Sequence, residues 1–165
     1  MGGKRIEVEE IPVEKKWRRL LNVCMDYYHT WREVVKEEFG YEKANELEIK
    51  WGKKLGEKTA EIYRKVGWIK PDDLSSLAKA LVISMRILNE DCEALEEDKN
   101  KIRIVHYHCP EYDEYEKRGV PGGCMNKCFA WYVATIQGIN PQIKVEFSKT
   151  FPKDGVCEIT MHMKR

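Results

Sequence analysis

"KIRIVHYHCPEYDEYEKRGVPGGCMNKC" (Lys101–Cys128) is where this chain changes its hydrophobic period. The first eight residues alternate and are rich in β-branched side chains, the pattern of a half-buried strand. Cys109-Pro110 ends that strand, because proline has no amide hydrogen to give to a ladder. Pro121, Gly122 and Gly123 then signal a turn, and "CMNKCFAWYVATIQG" (Cys124–Gly138) reads as a helix closed by Gly138.

Downstream, Asn140-Pro141 turns the chain into a second alternating run. There Ile143, Val145 and Phe147 share one face, opposite Lys144, Glu146 and Ser148. The last run sets Cys157, Ile159, Met161 and Met163 against Glu158, Thr160, His162 and Lys164. Strands are therefore expected over 101–109, 142–150 and 155–164. Upstream, the spacing is that of helices. Trp17, Leu20, Leu21, Cys24, Tyr28, Trp31 and Val35 recur every three or four residues, and Gly40 ends the first stripe. Ala44, Leu47, Trp51, Leu55, Ile62 and Val66 form a second stripe, ended by Gly67, with Gly52 and Gly56 inside it. Pro71, Asp72 and Asp73 open a third, carrying Leu74 to Leu95 and ending in the charged turn "EEDKNK". The fold class expected is α+β: three N-terminal helices over 12–98 packed on a C-terminal antiparallel sheet with one embedded helix, all in a single domain, 1–165.

Composition narrows the partners. The 165-residue chain has 29 Lys and Arg against 28 Asp and Glu. Residues 1–100 carry 19 basic and 21 acidic side chains, and 101–165 carry 10 and 7, so neither half has the basic face that a phosphate backbone needs. Nucleic acid is thus not an expected partner. No apolar run approaches the ~20 residues of a membrane span, and "MGGKRIEVEE" lacks a signal-peptide core. A cytoplasmic location, a small-molecule ligand or substrate, no membrane contact and a possible homodimer are the expectations.

Three of the six cysteines and two of the four histidines fall between His106 and Cys128. Cys124 and Cys128, four apart, share a helix face. Cys157 has the buried parity of its strand, and Cys109 closes the first strand. In a reducing compartment such thiols are metal ligands or small core side chains rather than a disulfide framework. Cys109, Cys124, Cys128 and Cys157 are the candidate metal set: zinc takes four S or N ligands tetrahedrally, and an iron–sulfur cluster takes four cysteines. Cys24 and Cys92 lie on helical apolar stripes and are expected in the core. His29 and His162 are read as surface or structural residues.

Residues 108–165 resemble the C-terminal half of the L-2-amino-thiazoline-4-carboxylate hydrolase-like family. The resemblance rests on Cys109-Pro110, Cys124 with Cys128, Gly138 to Pro141, Lys149-Thr150, and Asp154 with Cys157. The closing segment is similar to related 4-vinyl-reductase-type small-molecule-binding domains, in which a glutamate and cysteines hold zinc; Glu146, Cys128 and Cys157 fall at comparable places. Two positions depart from the pattern: Trp131 stands where relatives carry an aspartate, and Val156 where many carry another cysteine.

The resemblance implies hydrolysis of a small cyclic amidine such as a thiazoline. A metal-activated water or the Cys124 or Cys128 thiolate would attack the ring carbon. His106 or His108 would shuttle protons, and Lys149 would hold a substrate carboxylate. The alternative is a non-catalytic sensor enclosing an apolar or aromatic ligand, with Trp51, Trp68, Phe129, Trp131 and Tyr132 as its lining and a structural metal site beside it.

Overall fold

A computed structural model describes residues 10–67, 69–120 and 122–163. Trp68 and Pro121, both invoked above, lie outside the described residues, as does Lys164. The elements run α1 (Val13–Phe39), α2 (Tyr41–Val66), α3 (Leu74–Ile87), β1 (Asp91–Asp98), β2 (Lys101–His108), α4 (Pro110–Lys117), α5 (Cys124–Ile139), β3 (Ile143–Lys149), α6 (Phe151–Asp154) and β4 (Cys157–Met163). The architecture is α+β. Among the described residues no helix is long and apolar enough to cross a membrane.

The four strands form one antiparallel sheet in the order β1-β2-β4-β3. Helices α3 and α5 cover one face of it, α2 lies on α5, and α1 is outermost, packed on α2. The core is the layer between sheet and helices. Leu77 and Leu81 of α3, Tyr132 and Ile136 of α5, and Ile104, Ile143, Ile159 and Met161 of the strands are all fully buried there. The alternation read from the sequence thus becomes a single apolar face, with each inward strand residue under a helix.

The strand from Asp91 to Asp98 corrects the helix expected to continue to Leu95. Helix α3 starts as the sequence suggests, with the Asp73 carboxylate accepting from the Ser75 amide at 3.0 Å. It stops after Ile87, where Asn89 takes a left-handed φ of 65°. The following "DCEALEED" is built of helix formers, but hydrogen bonding to β2 through a hairpin overrides that preference. The Arg86 guanidinium, bonded to the Cys92 carbonyl at 2.9 Å, ties the turn to the helix it leaves. Cys92 is buried as expected, though on a strand. Cys24 is exposed, contrary to its assignment to the core, because α1 packs mainly on α2 and leaves much of its apolar stripe uncovered. Helices α4 and α6 fill the two segments left unassigned above.

The closest helix contact is α2 against α5. A Cβ on Gly52 would lie 2.6 Å from the Lys127 carbonyl oxygen, and one on Gly56 would lie 2.5 Å from that of Trp131. Both glycines are therefore required by close backbone approach. Gly56→Ala is expected to cost about 1–3 kcal/mol in denaturant unfolding, as overpacking against rigid backbone. Cys24→Ala, on the exposed stripe, should stay within about 0.5 kcal/mol of the parent. Equal losses in the two variants would contradict this packing.

Candidate functional site

Two groups of reactive side chains meet around α5, one on its sheet side and one on its α2 side. On the sheet side, His106 sits directly opposite Cys92 of β1 and Cys157 of β4, so the three form a row across adjacent strands. Opposed residues of neighbouring strands point to the same face, here the face under α5. The helix presents Cys124, Cys128 and Tyr132, four residues apart, along its own stripe. The Tyr132 hydroxyl lies 2.9 Å from His106 Nε2, and His106 Nδ1 lies 2.7 Å from Glu90 Oε2. A carboxylate only accepts, so Nδ1 donates to Glu90, and in the neutral imidazole Nε2 accepts from Tyr132. The result is a buried carboxylate–imidazole–phenol chain.

The thiols gather at its end. Cys109 precedes α4, and each of Cys109, Cys124, Cys128 and Cys157 is close enough to another of the set or to Glu90 for charge on one to disfavour charge on the next. Burial is the larger cause in every case. It pushes Cys124 up to about 12 and raises Cys109, Cys128 and Cys157 as well. The backbone amide of Phe151 donates to Cys157 Sγ at 3.4 Å. All six cysteines are free thiols. Among the described residues, no group of three or more His, Cys, Asp or Glu side chains is arranged to hold a metal ion. Burial thus favours the protonated thiol at all four positions of the candidate set. Glu146 is not with them, since it lies on β3 paired to Lys144 at 2.5 Å.

The other expected site residues stand apart. His108 is exposed at the end of β2 and pairs with Asp113 at 2.9 Å. Lys149 is half-exposed, 3.4 Å from Glu158 on the outer side of the sheet. Trp131 packs its indole on α2 and donates to Thr59 Oγ1 at 3.2 Å.

On the α2 side lies a cleft of about 220 Å³. Asn45 and Glu48 line it from α2, and Gly122, Gly123, Asn126 and Lys127 from the turn and the start of α5. Gly123 is needed there, since a Cβ would meet the Tyr115 ring at 2.7 Å. Glu48 is 1% exposed, and three donors converge on its Oε1: the Tyr28 hydroxyl at 2.5 Å, the Tyr115 hydroxyl at 2.6 Å and Arg32 Nε at 2.8 Å. Both tyrosines are held far above their ordinary pKa, first by burial, and so remain donors.

Lys127 is equally buried. Its ammonium pairs with Glu111 of α4 and lies 4.6 Å from the Tyr28 ring centroid, 5.6 Å from Trp51 and 5.8 Å from Tyr115. Burial draws its pKa down to about 8, while Cys128 first, then Glu48, Cys109 and Glu90, work in the opposite sense. Glu48, Lys127, Arg32 and Glu90 were not among the residues singled out from the sequence. One signal was there for Glu48: it is the single charge on the α2 ridge Ala44, Glu48, Gly52, Gly56, Ala60, otherwise small residues spaced by four.

No protein-family model matches the sequence, and no curated protein matches it. The fold is similar to that of a trafficking protein particle complex subunit 3 from Naegleria fowleri, in a crystal structure with palmitic acid covalently bound. The TM-score is 0.62 at 14% identity, covering 90% of this chain and 97% of that one. A structure from a study of heme distortion in the H-NOX family aligns with a TM-score of 0.49 at 15% identity, over 98% of this chain and 78% of that one. At such identities the first likeness establishes the fold alone.

Beside this cluster, His29 is 1% exposed, and among the described residues its Nε2 has no partner. Burial first, then the charges of Arg118 and Lys127, lower its pKa to about 4. In the unfolded chain it titrates near 6.5, so its contribution is complete above that pH. As pH falls from 6.5 to about 4, only the unfolded state takes up the proton, and up to about 3 kcal/mol of stability is lost. Unfolding free energies measured across that window should show this slope, and His29→Gln should flatten it. An unchanged slope in the variant would contradict the assignment.

Proposed function

We propose that this domain binds a small polar molecule in the cleft between α2 and the start of α5. The observation that carries the reading is Glu48: a fully buried carboxylate lining a cleft, with every protein donor on one oxygen and none on the other. Among the described residues Oε2 accepts no hydrogen bond, yet it is not among the sealed, unpartnered polar atoms. An accessible carboxylate oxygen with no protein donor keeps its acceptor capacity for a molecule in the cleft.

This reading departs from an apolar or aromatic ligand, since Asn45, Glu48, Asn126 and Lys127 make the lining polar. It also departs from the long acyl chain named for the trafficking subunit. Here the layer between α3, α5 and the sheet is filled by Leu81, Ile104, Ile136 and Met161.

A second reading, hydrolysis of a small cyclic amidine, is supported by the Glu90–His106–Tyr132 chain beside the thiols. In it, a thiol or water would add to the amidine carbon while His106 takes the proton. The raised thiol pKa values weigh against it, because the thiolate and not the thiol is the nucleophile. His106 is also absent from the cleft lining. Binding therefore ranks above catalysis.

The test is a plug at the mouth of the cleft. Asn126 is exposed on α5, so Asn126→Trp should fold with stability within about 0.5 kcal/mol of the parent. Small polar compounds that raise the parent's melting temperature should no longer do so in the variant. Retained stabilisation by the same compounds would put the ligand elsewhere.

A further inference from the structure

We propose that the cleft is built for a small zwitterion, whose protonated nitrogen donates to Glu48 Oε2 and whose carboxylate accepts from Lys127 Nζ. The proposal rests on the reading of the cleft as a ligand site and names the chemistry of what enters.

The first observation is the open oxygen of Glu48. Its side chain is 2% exposed, and Tyr28, Tyr115 and Arg32 all bond Oε1. A ligand reaching Oε2 must therefore bring a donor, and against a carboxylate a charged N–H is the strongest one. The second observation is independent and lies on the other helix. The Lys127 side chain is 6% exposed and lines the same cleft. An ammonium has three N–H donors. Among the described residues its one ion-pair partner is Glu111, the rings of Tyr28, Trp51 and Tyr115 lie around it, and Cys128, Glu48, Cys109 and Glu90 are near enough to act on its charge. With one ion pair made, donor capacity remains on the nitrogen of this cleft-lining residue.

Charge balance selects between ligand types. Arg32 offsets Glu48, and Glu111 offsets Lys127, so the four groups sum to zero. A ligand with a net charge would leave that charge uncompensated at a buried site, at a cost of several kcal/mol. A zwitterion enters without that penalty and pairs each of its ends with the opposite sign. The two recognition groups are held near one another because Gly52, one turn after Glu48, brings α2 onto the Lys127 backbone. The cleft, about 220 Å³, has the space of roughly seven waters at ~30 Å³ each, which limits the ligand to an amino acid of few atoms.

Isothermal titration and thermal shift of the intact protein at pH 7 test this with glycine, β-alanine and 4-aminobutyrate as probes. Ethylammonium and propionate, each carrying one of the two charges, are the comparison. At least one amino acid should bind, and about tenfold more tightly than either single-charge compound. Glu48→Gln and Lys127→Met should each weaken that binding about tenfold, and Asn126→Trp should abolish it. Should either buried variant fail to fold, the comparison on the unaltered protein still decides. Ethylammonium or propionate binding as tightly as the best zwitterion overturns the proposal. So does the absence of heat and of thermal shift with all three amino acids at about 10 mM. If uncharged or singly charged compounds bind and Asn126→Trp removes them, the cleft remains a ligand site and only the zwitterion assignment falls.

Discussion

The contact between the backbones of α2 and α5 is the constraint from which the rest of this structure follows. Two glycines, one turn apart, allow carbonyl oxygens of α5 to sit where Cβ atoms would otherwise stand. That approach fixes α5 between α2 and the sheet, so one helix has a polar side facing a cleft and a thiol-bearing side facing strands. Lys127 lines the cleft, while its neighbour Cys128 packs against the core, close enough for each to act on the other's charge. Glu48, on the ridge that carries both glycines, comes to face Lys127 for the same reason. Its burial is offset by Arg32 and two tyrosine hydroxyls, since an unpaired carboxylate would not be tolerated there.

The two sides of α5 differ in what they can do. The sheet side has the richer chemistry by residue type: five thiols, an imidazole, a phenol and a carboxylate. Yet burial keeps the thiols protonated, and among the described residues His106 already has a partner at both ring nitrogens. Such a satisfied network stiffens a core and specifies its packing. The α2 side has fewer reactive groups but leaves hydrogen-bonding capacity open toward a cavity. Unused capacity at a buried polar atom is the better mark of a ligand, because a filled network has nothing left to offer one.

Much of the fold was legible in the sequence, and the reasons are local. Strict alternation in "KIRIVHYH" and in 143–149 matches β2 and β3, because one face of each strand is buried and the other polar. The stretch after Ile87 was not legible. Leu88, Cys92 and Leu95 continue a helical spacing through residues of high helix propensity, and only the non-local pairing with β2 makes them a strand. Cys24 misled for a related reason, since an amphipathic stripe does not say whether anything covers it. At the candidate site, parity placed Cys157 on the face that also carries His106. Glu48, Lys127 and Glu90 stayed hidden because a charge on a helix or in a turn ordinarily means solvent. What distinguishes Glu48 is its place in a ridge of alanine and glycine.

Where a small ligand sits on α5 decides between the cleft and the thiol side. Amide and side-chain chemical shifts of the isotopically labelled protein, followed during titration with β-alanine and glycine, read that location directly. The account predicts saturable shifts centred on Asn45, Glu48, Gly122, Gly123 and Lys127, with the β2 and β4 positions around His106 and Cys157 unmoved. Shifts centred on His106 and the thiols, or on the outer face of α1, would contradict it.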